Sequence, residues 1–469
     1  MNLLRMVMTA TTLTASLAAA AAGGSPAPAV TTAPDELPLF VGKPLSGWSI
    51  GVADFEQSAR LTGERATVPK QANSQVPASE VHALRATRTE RGDALTLQWK
   101  ESWFATLRLE GGAPVDLRPY LAHGTLEFDI KVDDLAKGGL SVKLACGDGC
   151  ERKVNYLLPA RALEGKGWQR LSFALNCFKR DDDDFSAVRQ PFSVDTSGTG
   201  QVTIANVRVL KRGLPNAFCA DPRTESVTPS PLLQTWALEW WIPRHEQKLA
   251  QVQQMRSSGP LPEVVFIGDS ITQGWEDVGA PVWREYFSRY QPLNLGFGGD
   301  HTENVLWRLQ HGEIDGIAPK VAVLMIGTNN TGDRMEDPRT TTEGIRRLIT
   351  ELRMRLPATR ILLLAVFPRE QKPGGPLRAI NDEVNRRIAS LADGETVQFL
   401  DIRHTLMNAD GTLSADVMPD WLHLSEKGYR LWAEAMAPTL AELVRTTPAV
   451  VPSRAGAPSP AGAAPSSSP

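Results

Sequence analysis

The chain has 469 residues, enough for about three domains at ~150 residues each, with 42% hydrophobic and 22% charged residues. This average globular usage excludes a wholly disordered chain, a collagen-like chain and a coiled-coil rod. Lys and Arg total 50 and Asp and Glu total 53, which leaves a net charge of −3 and gives no reason to expect a nucleic-acid partner.

The N-terminus carries the pattern of an export signal. Residues 1–22 have one Arg near the start, then an apolar run of small residues ending in Ala. The run is short and diluted by Thr and Ser, which favours a cleaved signal peptide over a membrane anchor. We therefore expect a periplasmic or extracellular protein with no membrane insertion after cleavage. The Pro/Ala/Ser-rich segments 23–36 and 446–469 are predicted to be a flexible linker and a disordered tail.

Four cysteines, an even number in an exported chain, favour two disulfides with three possible connectivities. Cys146 and Cys150 flank a Gly-Asp-Gly loop and are close enough to pair locally, which leaves Cys177 and Cys219 for the second bridge. A metal site is disfavoured because the usual C-x2-C spacing is missing, and we expect neither a metal nor a cofactor.

The first half of the chain alternates polar and apolar residues as strands do. Turn residues follow each run at short intervals, and no long segment of helical period intervenes. This pattern predicts an all-β sandwich over 37–212. The predicted strands include 95–99, 105–109, 125–132, 140–144, 169–173 and 202–209.

The second half alternates strands and helices after a boundary segment, 213–258. That segment is Pro-rich at first and then helical over 232–255, with an interruption at Pro243. A β-α-β order follows over 259–445 and predicts a parallel sheet with helices on both faces. Predicted strands are 263–267, 293–295, 321–326, 361–366 and 397–400, and predicted helices include 342–356, 377–391 and 426–444.

Chemically useful residues follow these strands, and ligands of such sheets bind at the carboxyl ends of the strands. The first strand runs into Gly-Asp-Ser270, the second into Gly-Phe-Gly-Gly299-Asp, and the third into Gly-Thr-Asn329-Asn. Asp420-Trp-Leu-His423 stands near the end of the domain. A hydroxyl, an imidazole, a carboxylate and amide donors are the groups that acyl transfer needs.

These four motifs, in this order, resemble the SGNH (GDSL-type) hydrolase superfamily, and residues 236–440 are similar to its branch of platelet-activating-factor acetylhydrolase catalytic subunits. The resemblance implies a three-layer, flavodoxin-like fold. It also implies that Ser270 is the nucleophile, that Gly299 and Asn329 are oxyanion donors, and that Asp420 and His423 complete the triad.

Residues beside these motifs are candidates for the substrate pocket. We expect Asp300, Asn330 and Trp421 to line it. His301 is interpreted as a surface or loop residue, with a place at the pocket rim as the alternative. Asp269 is expected to brace its own loop by hydrogen bonds.

The first half also resembles the ExoP-type, galactose-binding-like β-sandwich (jelly-roll-like), carried by PLSGWSIGV, PVDLRPYLAHGTLEFDIKV, LEGKGWQRLSFALNCF and ANVRV. The resemblance implies a carbohydrate-associated module. Trp48, Trp99, Trp103 and Trp168 are candidates for stacking on sugar rings, although for each one a place in the core is the favoured interpretation.

The sequence therefore predicts an exported serine esterase of the SGNH type, most simply a carbohydrate O-acetylesterase. Its expected partner is an acetylated carbohydrate or another small ester; the oligomeric state stays open. Three alternatives remain: a lipid-type acetylhydrolase or lysophospholipase, a broad arylesterase, and, in a different class, a carbohydrate-binding protein with an inactive hydrolase domain.

Overall fold

A computed structural model describes residues 33–54, 57–69, 83–89, 92–147, 150–180 and 183–447. The predicted signal peptide, most of the segment 23–36 and residues 448–469 lie outside the described residues. Within the described part of the chain, no helix has the length and apolar character needed to cross a membrane.

The first half is all-β, as predicted. Eleven strands pair antiparallel in one sheet, whose central order is β10-β8-β11-β7-β3-β4. The strands are β1 (Glu36–Val41), β2 (Lys43–Pro44), β3 (Ser49–Ala53), β4 (Ser58–Arg60), β5 (Arg65–Pro69), β6 (Ala83–Arg88), β7 (Ala94–Glu110), β8 (Thr125–Gly147), β9 (Cys150–Asn155), β10 (Trp168–Ala174) and β11 (Gln190–Leu210), with a short helix α1 (Leu157–Arg161) after β9.

Three of these strands, β7, β8 and β11, are longer than the sequence pattern predicts. The runs 95–99 and 105–109 are one strand, β7, and the runs 125–132 and 140–144 are one strand, β8. The polar residues between the runs stay paired with β11 because the register shifts around Gly198 and Gly200, as in β-bulges. The apolar period is kept along β8, where Leu126, Phe128 and Ile130 are fully buried.

The two disulfides lie at one end of this β-domain. Cys146 pairs with Cys150 across the β8–β9 turn, and Cys177 pairs with Cys219; the Cα–Cα distances are 5.3 and 5.7 Å. The second bridge ties the short helical turn after β10 to the segment that leads into the second half.

The second half contains a five-stranded parallel sheet in the order β13-β12-β14-β15-β16, with helices on both faces. Its strands are β12 (Val264–Gly268), β13 (Leu293–Gly296), β14 (Val321–Met325), β15 (Arg360–Leu364) and β16 (Val397–Leu400). Its helices are α2 (Trp241–Ser258), α3 (Ser270–Gln273), α4 (Ala280–Tyr286), α5 (Thr302–Gln310), α6 (Thr328–Arg334), α7 (Pro338–Arg355), α8 (Pro376–Ile388) and α9 (Glu426–Thr446).

The sheet divides the hydrophobic core in two because successive side chains of a strand point to opposite faces. Phe266 packs in the cluster under α4 and α9, with Trp275 and Trp432, whereas its neighbour Val265 packs in the cluster under α5 and α7, with Leu309. Taking the five strands in chain order, the sheet order is 2-1-3-4-5, which reverses direction between β12 and β14.

The boundary segment is more closely packed than a free linker. A 3-10 turn, Glu225–Val227, lies on α5 and α7, and its buried Ser226 Oγ donates to Glu336 Oε2 at 2.7 Å. The predicted helix 232–255 begins only at Trp241, which places Pro243 in the first turn. There its missing N–H costs no hydrogen bond, because the first N–H groups of a helix have no partner.

Candidate active site

Three side chains form a hydrogen-bonded line at the carboxyl end of β12. Ser270 is the first residue of α3, and its Oγ lies 2.9 Å from His423 Nε2. The other ring nitrogen, Nδ1, lies 2.7 Å from Asp420 Oδ2. The backbone N–H groups of Leu422 and His423 also donate to Asp420 Oδ1, at 3.1 and 2.7 Å.

The electrostatics of the line fix the tautomer of the imidazole. Partial burial by itself would raise the pKa of Asp420, but hydrogen bonds from the His423 ring and from the backbone outweigh it and hold that pKa below its usual range. An ionised Asp420 accepts the Nδ1 proton, so Nε2 faces Ser270 Oγ as an acceptor. Such a line can move a proton off the hydroxyl.

The N-terminus of α3 holds Ser270 in place. Asp269 caps this helix: its carboxylate accepts the Ile271 N–H at 3.0 Å. The carboxyl is fully buried, and burial raises its pKa to about 7. As the first helical residue, Ser270 has an N–H with no intrahelical acceptor, and that N–H is available to an anion.

Further hydrogen-bond donors follow β13 and β14. These strands lie on either side of β12, so their ends flank Ser270. The turn after β13 includes Gly299, whose φ of +76° favours glycine, and its N–H donates to no acceptor among the described residues. Asn329 follows β14, and its side-chain amide donates to the Asp300 carbonyl at 2.9 Å. That contact orients the amide and leaves its second N–H unused.

The structure corrects the expected positions of Asp300 and Asn330, which are fully buried. The Asp300 carboxylate accepts from Trp241 Nε1 at 2.6 Å and from Arg308 Nε at 2.8 Å. A fully buried polar side chain needs such partners, so Asp300 and Asn330 support the loops from beneath. His301 is also buried but contributes to the lining of a neighbouring groove.

Arg308 is a residue that the sequence analysis missed. It is fully buried, pairs with both Asp300 and Glu313, and lies 3.9 Å from the centroid of the Phe297 ring. Burial raises the pKa of Asp300 to about 6, and Arg308 opposes that rise. The available signal was a charged residue within the apolar run VLWRL of α5.

Two tryptophans flank the site. Trp421, between Asp420 and His423, is half-buried with a φ of +63° and packs against the core cluster under α4 and α9. Trp236 lies in the boundary segment 213–258 and covers the glycine turn. A Cβ on Gly299 would lie 2.3 Å from Trp236 Cη2, which means that only glycine fits beneath this ring.

The described tryptophan side chains of the β-domain differ in burial. Trp48 and Trp99 are core residues, as favoured. Trp168 on β10 is the exception, with 49% of its surface exposed. The side chain of Trp103 lies outside the part of the chain that the structure describes.

A flavodoxin-like parallel sheet with a hydroxyl–imidazole–carboxylate line at its reversal point defines an ester hydrolase of the SGNH class. Residues 266–431 match the model of the GDSL-like Lipase/Acylhydrolase family, and residues 58–209 match a galactose-binding domain-like family. The chain is 38% identical to platelet-activating factor acetylhydrolase IB subunit alpha1 of Homo sapiens over 217 residues, which are 46% of this chain and 89% of the relative. The alpha2 subunit of Rattus norvegicus is 38% identical over 188 residues, 40% of this chain and 80% of the relative. The chain belongs to the GDSL-like lipase/acylhydrolase family.

Solved structures are similar to each half. A GDSL-like lipase from Bacteroides thetaiotaomicron has a TM-score of 0.34 at 19% identity, covering 43% of this chain and 97% of that one. The exo-1,3/1,4-beta-glucanase ExoP from a Pseudoalteromonas species has a TM-score of 0.32 at 19% identity, covering 41% and 23%. A carbohydrate acetylesterase from Sinorhizobium meliloti has a TM-score of 0.32 at 21% identity, covering 39% and 99%.

Proposed function

We propose that this ester hydrolase is an exported serine esterase that removes acetyl groups from a polysaccharide or oligosaccharide. The observation that carries the esterase mechanism is the line from Ser270 Oγ through the His423 ring to Asp420, with contacts of 2.9 and 2.7 Å. Each contact lies within the range that a nucleophile, its base and the orienting carboxylate require.

The proposed reaction has two halves. His423 Nε2 takes the proton of Ser270 as Oγ attacks the acetyl carbonyl, and the same proton then leaves with the sugar hydroxyl as the ester C–O bond breaks. Water next gives a proton to His423 and attacks the acetyl–Ser270 ester, and acetate leaves as Ser270 regains its proton. Asp420 stabilises the imidazolium in both halves.

The negative charge on the carbonyl oxygen needs donors that are already in place. We assign this role to the N–H groups of Ser270 and Gly299 and to the Asn329 amide. The contact between Asn329 and the Asp300 carbonyl supports the assignment because it fixes the amide before substrate arrives.

The carbohydrate part of the proposal rests on the β-domain, which matches a galactose-binding domain-like family over residues 58–209. An acetyl ester of platelet-activating factor is the second candidate substrate, since the curated relatives carry that name at 38% identity. A carbohydrate-binding protein without activity is disfavoured because the proton-transfer line is complete.

Export and domain boundaries belong to the same proposal. Removal of residues 1–22 would leave a secreted or periplasmic chain, and disulfides at Cys146–Cys150 and Cys177–Cys219 suit an oxidising compartment. We propose a carbohydrate-associated β-domain over 37–212, a connector over 213–258 and the hydrolase domain over 259–445.

A substrate panel tests the proposal. Acetylated xylan, xyloglucan and pectin, a 2-acetyl phospholipid and an aryl acetate are incubated with the wild-type enzyme and with Ser270→Ala, and released acetate is measured. We expect release from at least one polysaccharide, lost in the variant. Release from the phospholipid alone would select the second candidate, and equal release by Ser270→Ala would refute the mechanism.

A further inference from the structure

The rings of Trp236 and Trp240 form an aromatic wall over the glycine turn at Gly298 and Gly299. Trp236 lies directly on Gly299, and its ring is 5.8 Å from that of Trp240, centroid to centroid. Although it covers this turn, Trp236 keeps 43% of its surface exposed. Its Nε1–H donates to Gln234 Oε1 at 2.7 Å, so the ring is held in one orientation.

Gln234 joins this wall to the helix that carries Asn329. Gln234 Nε2 donates to Asp333 Oδ2 at 2.8 Å, and Asp333 lies on α6, one turn after Asn329. The indole face is therefore a fixed surface beside the candidate oxyanion donors, outside the residues that match the hydrolase family model.

A groove of about 300 Å³ lies next to this turn, and its lining includes His301, two residues after Gly299. We call it the β9 groove, because the exposed face of β9 forms one wall and the connector residues 232–234 form the other. Leu232 belongs to both places: it lines the groove, and its Cδ2 would lie 3.2 Å from a Cβ on Gly299. The buried Leu232 side chain thus stands between the groove and the glycine turn, and no other residue separates them along this contact.

The lining combines exposed apolar and polar groups. Phe218, Leu158 and Leu233 are large apolar side chains that lie exposed in this groove, Phe218 with 92% of its surface accessible. Large exposed apolar groups that cluster next to a site mark a binding surface. Lys153 and Asn155 from β9, with Asp333, supply charges and hydrogen-bonding atoms between them.

This mixture suits a sugar chain better than a fatty acyl chain. A pyranose presents apolar C–H faces that pack on an indole or phenyl ring, and hydroxyls around its edge that need polar partners. An acyl chain offers nothing to Lys153, Asn155 or Asp333, and would leave them without water. The acetyl group itself is too small to need the groove.

We infer that Trp236 stacks on the sugar ring that bears the acetyl ester and that the β9 groove binds the neighbouring units of the same oligosaccharide. The inference rests on the proposed function and adds that the β-domain takes part in substrate binding at the catalytic centre. The substrate is then an acetylated oligosaccharide or polysaccharide chain with units next to the ester.

The full-length enzyme tests this with three acetate esters: ethyl acetate, a mono-acetylated monosaccharide and a trisaccharide of the same sugar with one acetyl group. For the wild type, we expect kcat/KM to be several-fold higher on the trisaccharide than on the monosaccharide. Trp236→Leu keeps an apolar cover on Gly299 without an aromatic face. It should lose about 3- to 10-fold more on either sugar ester than on ethyl acetate, mainly through KM.

Three further variants separate the two parts of the site. Trp236→Phe keeps a ring and should retain most of the preference for sugar esters. Phe218→Ala should lower kcat/KM on the trisaccharide only. Leu214→Ala removes an apolar side chain that is 90% exposed, about as much as Phe218, and lies outside the groove lining; it should change none of the three rates.

Several results would overturn the inference. Equal wild-type rates on monosaccharide and trisaccharide would exclude sugar binding in the groove. Equal losses on all three esters in Trp236→Leu would make this residue only a cover for Gly299. Activity on a 2-acetyl phospholipid that falls in both Trp236→Leu and Phe218→Ala, without activity on sugars, would assign the groove to lipid. A different result would show that the proposed serine-esterase function itself is wrong: Ser270→Ala would still cleave ethyl acetate.

Discussion

Replacing each of two adjacent asparagines should have a different effect: one variant should lose kcat and the other should lose stability. Asn329 donates one amide N–H to the Asp300 carbonyl at 2.9 Å, and in the proposed mechanism its second N–H donates to the substrate oxyanion. Asn329→Ala should lower kcat by roughly 10²–10³, or about 2.7–4 kcal/mol of transition-state stabilisation. KM should change little, because the ground-state carbonyl gains less from this bond than the oxyanion does.

Asn330 is the matched control. Its amide nitrogen donates to Glu336 Oε2 at 2.7 Å and also to Ser226 and Thr302, and its carbonyl accepts the Thr302 N–H at 3.2 Å. Asn330→Ala leaves a buried carboxylate short of a donor, which costs about 1–3 kcal/mol of the free energy of unfolding. The folded variant should keep kcat within tenfold of wild type.

Both variants are compared by initial-rate kinetics on an aryl acetate and by urea unfolding at the same pH. The expected pattern is a loss of kcat without a loss of stability for Asn329→Ala, and the reverse for Asn330→Ala. A rise in KM at unchanged kcat in Asn329→Ala would make this residue an ordinary binding group. A larger kcat loss in Asn330→Ala than in Asn329→Ala would refute the assignment of the oxyanion donor.

The remaining predictions address the triad, a buried acid and a buried cation. Ser270→Ala and His423→Ala should abolish ester cleavage at an unchanged melting temperature, and Asp420→Ala should lower the rate less. A chelator should leave the activity unchanged. Inactivation by the chelator that added metal reverses would refute this prediction. Asp269 has a pKa of about 7 in the folded protein against its usual 3.8, so the folded state holds its proton more tightly. The stability of the wild type relative to Asp269→Asn should therefore be highest below about pH 4 and fall up to about pH 7, and a difference in urea stability that does not vary with pH would contradict this. Arg308→Met should cost about 3–5 kcal/mol in urea unfolding because it leaves two buried carboxylates without their cation, and a loss under about 1 kcal/mol would exclude an ionised network.

The order of elements was readable from the sequence because local patterns determine it. Period-2 alternation marked the β-domain, and buried apolar runs such as β12 and β14 marked the parallel sheet. Ser425, a typical N-cap residue, stands just before the last helix, and its hydroxyl accepts the Gly428 N–H. Strand lengths in the β-domain were not readable, since bulges around Gly198 join runs that the sequence separates.

The sequence by itself determined which chemical groups the hydrolase domain carries, and it placed Ser270, Gly299 and Asn329 at strand ends because each sits in a short motif directly after an apolar run. Only the tertiary structure decided how side chains distant in sequence are used. Asp300 and Arg308 form a buried ion pair, and Trp236 covers the glycine turn at Gly299. These contacts join segments that are distant in the sequence, so no local pattern predicts them. Whether a polar residue lines a pocket or is buried as a structural residue depends on the packing of the whole sheet.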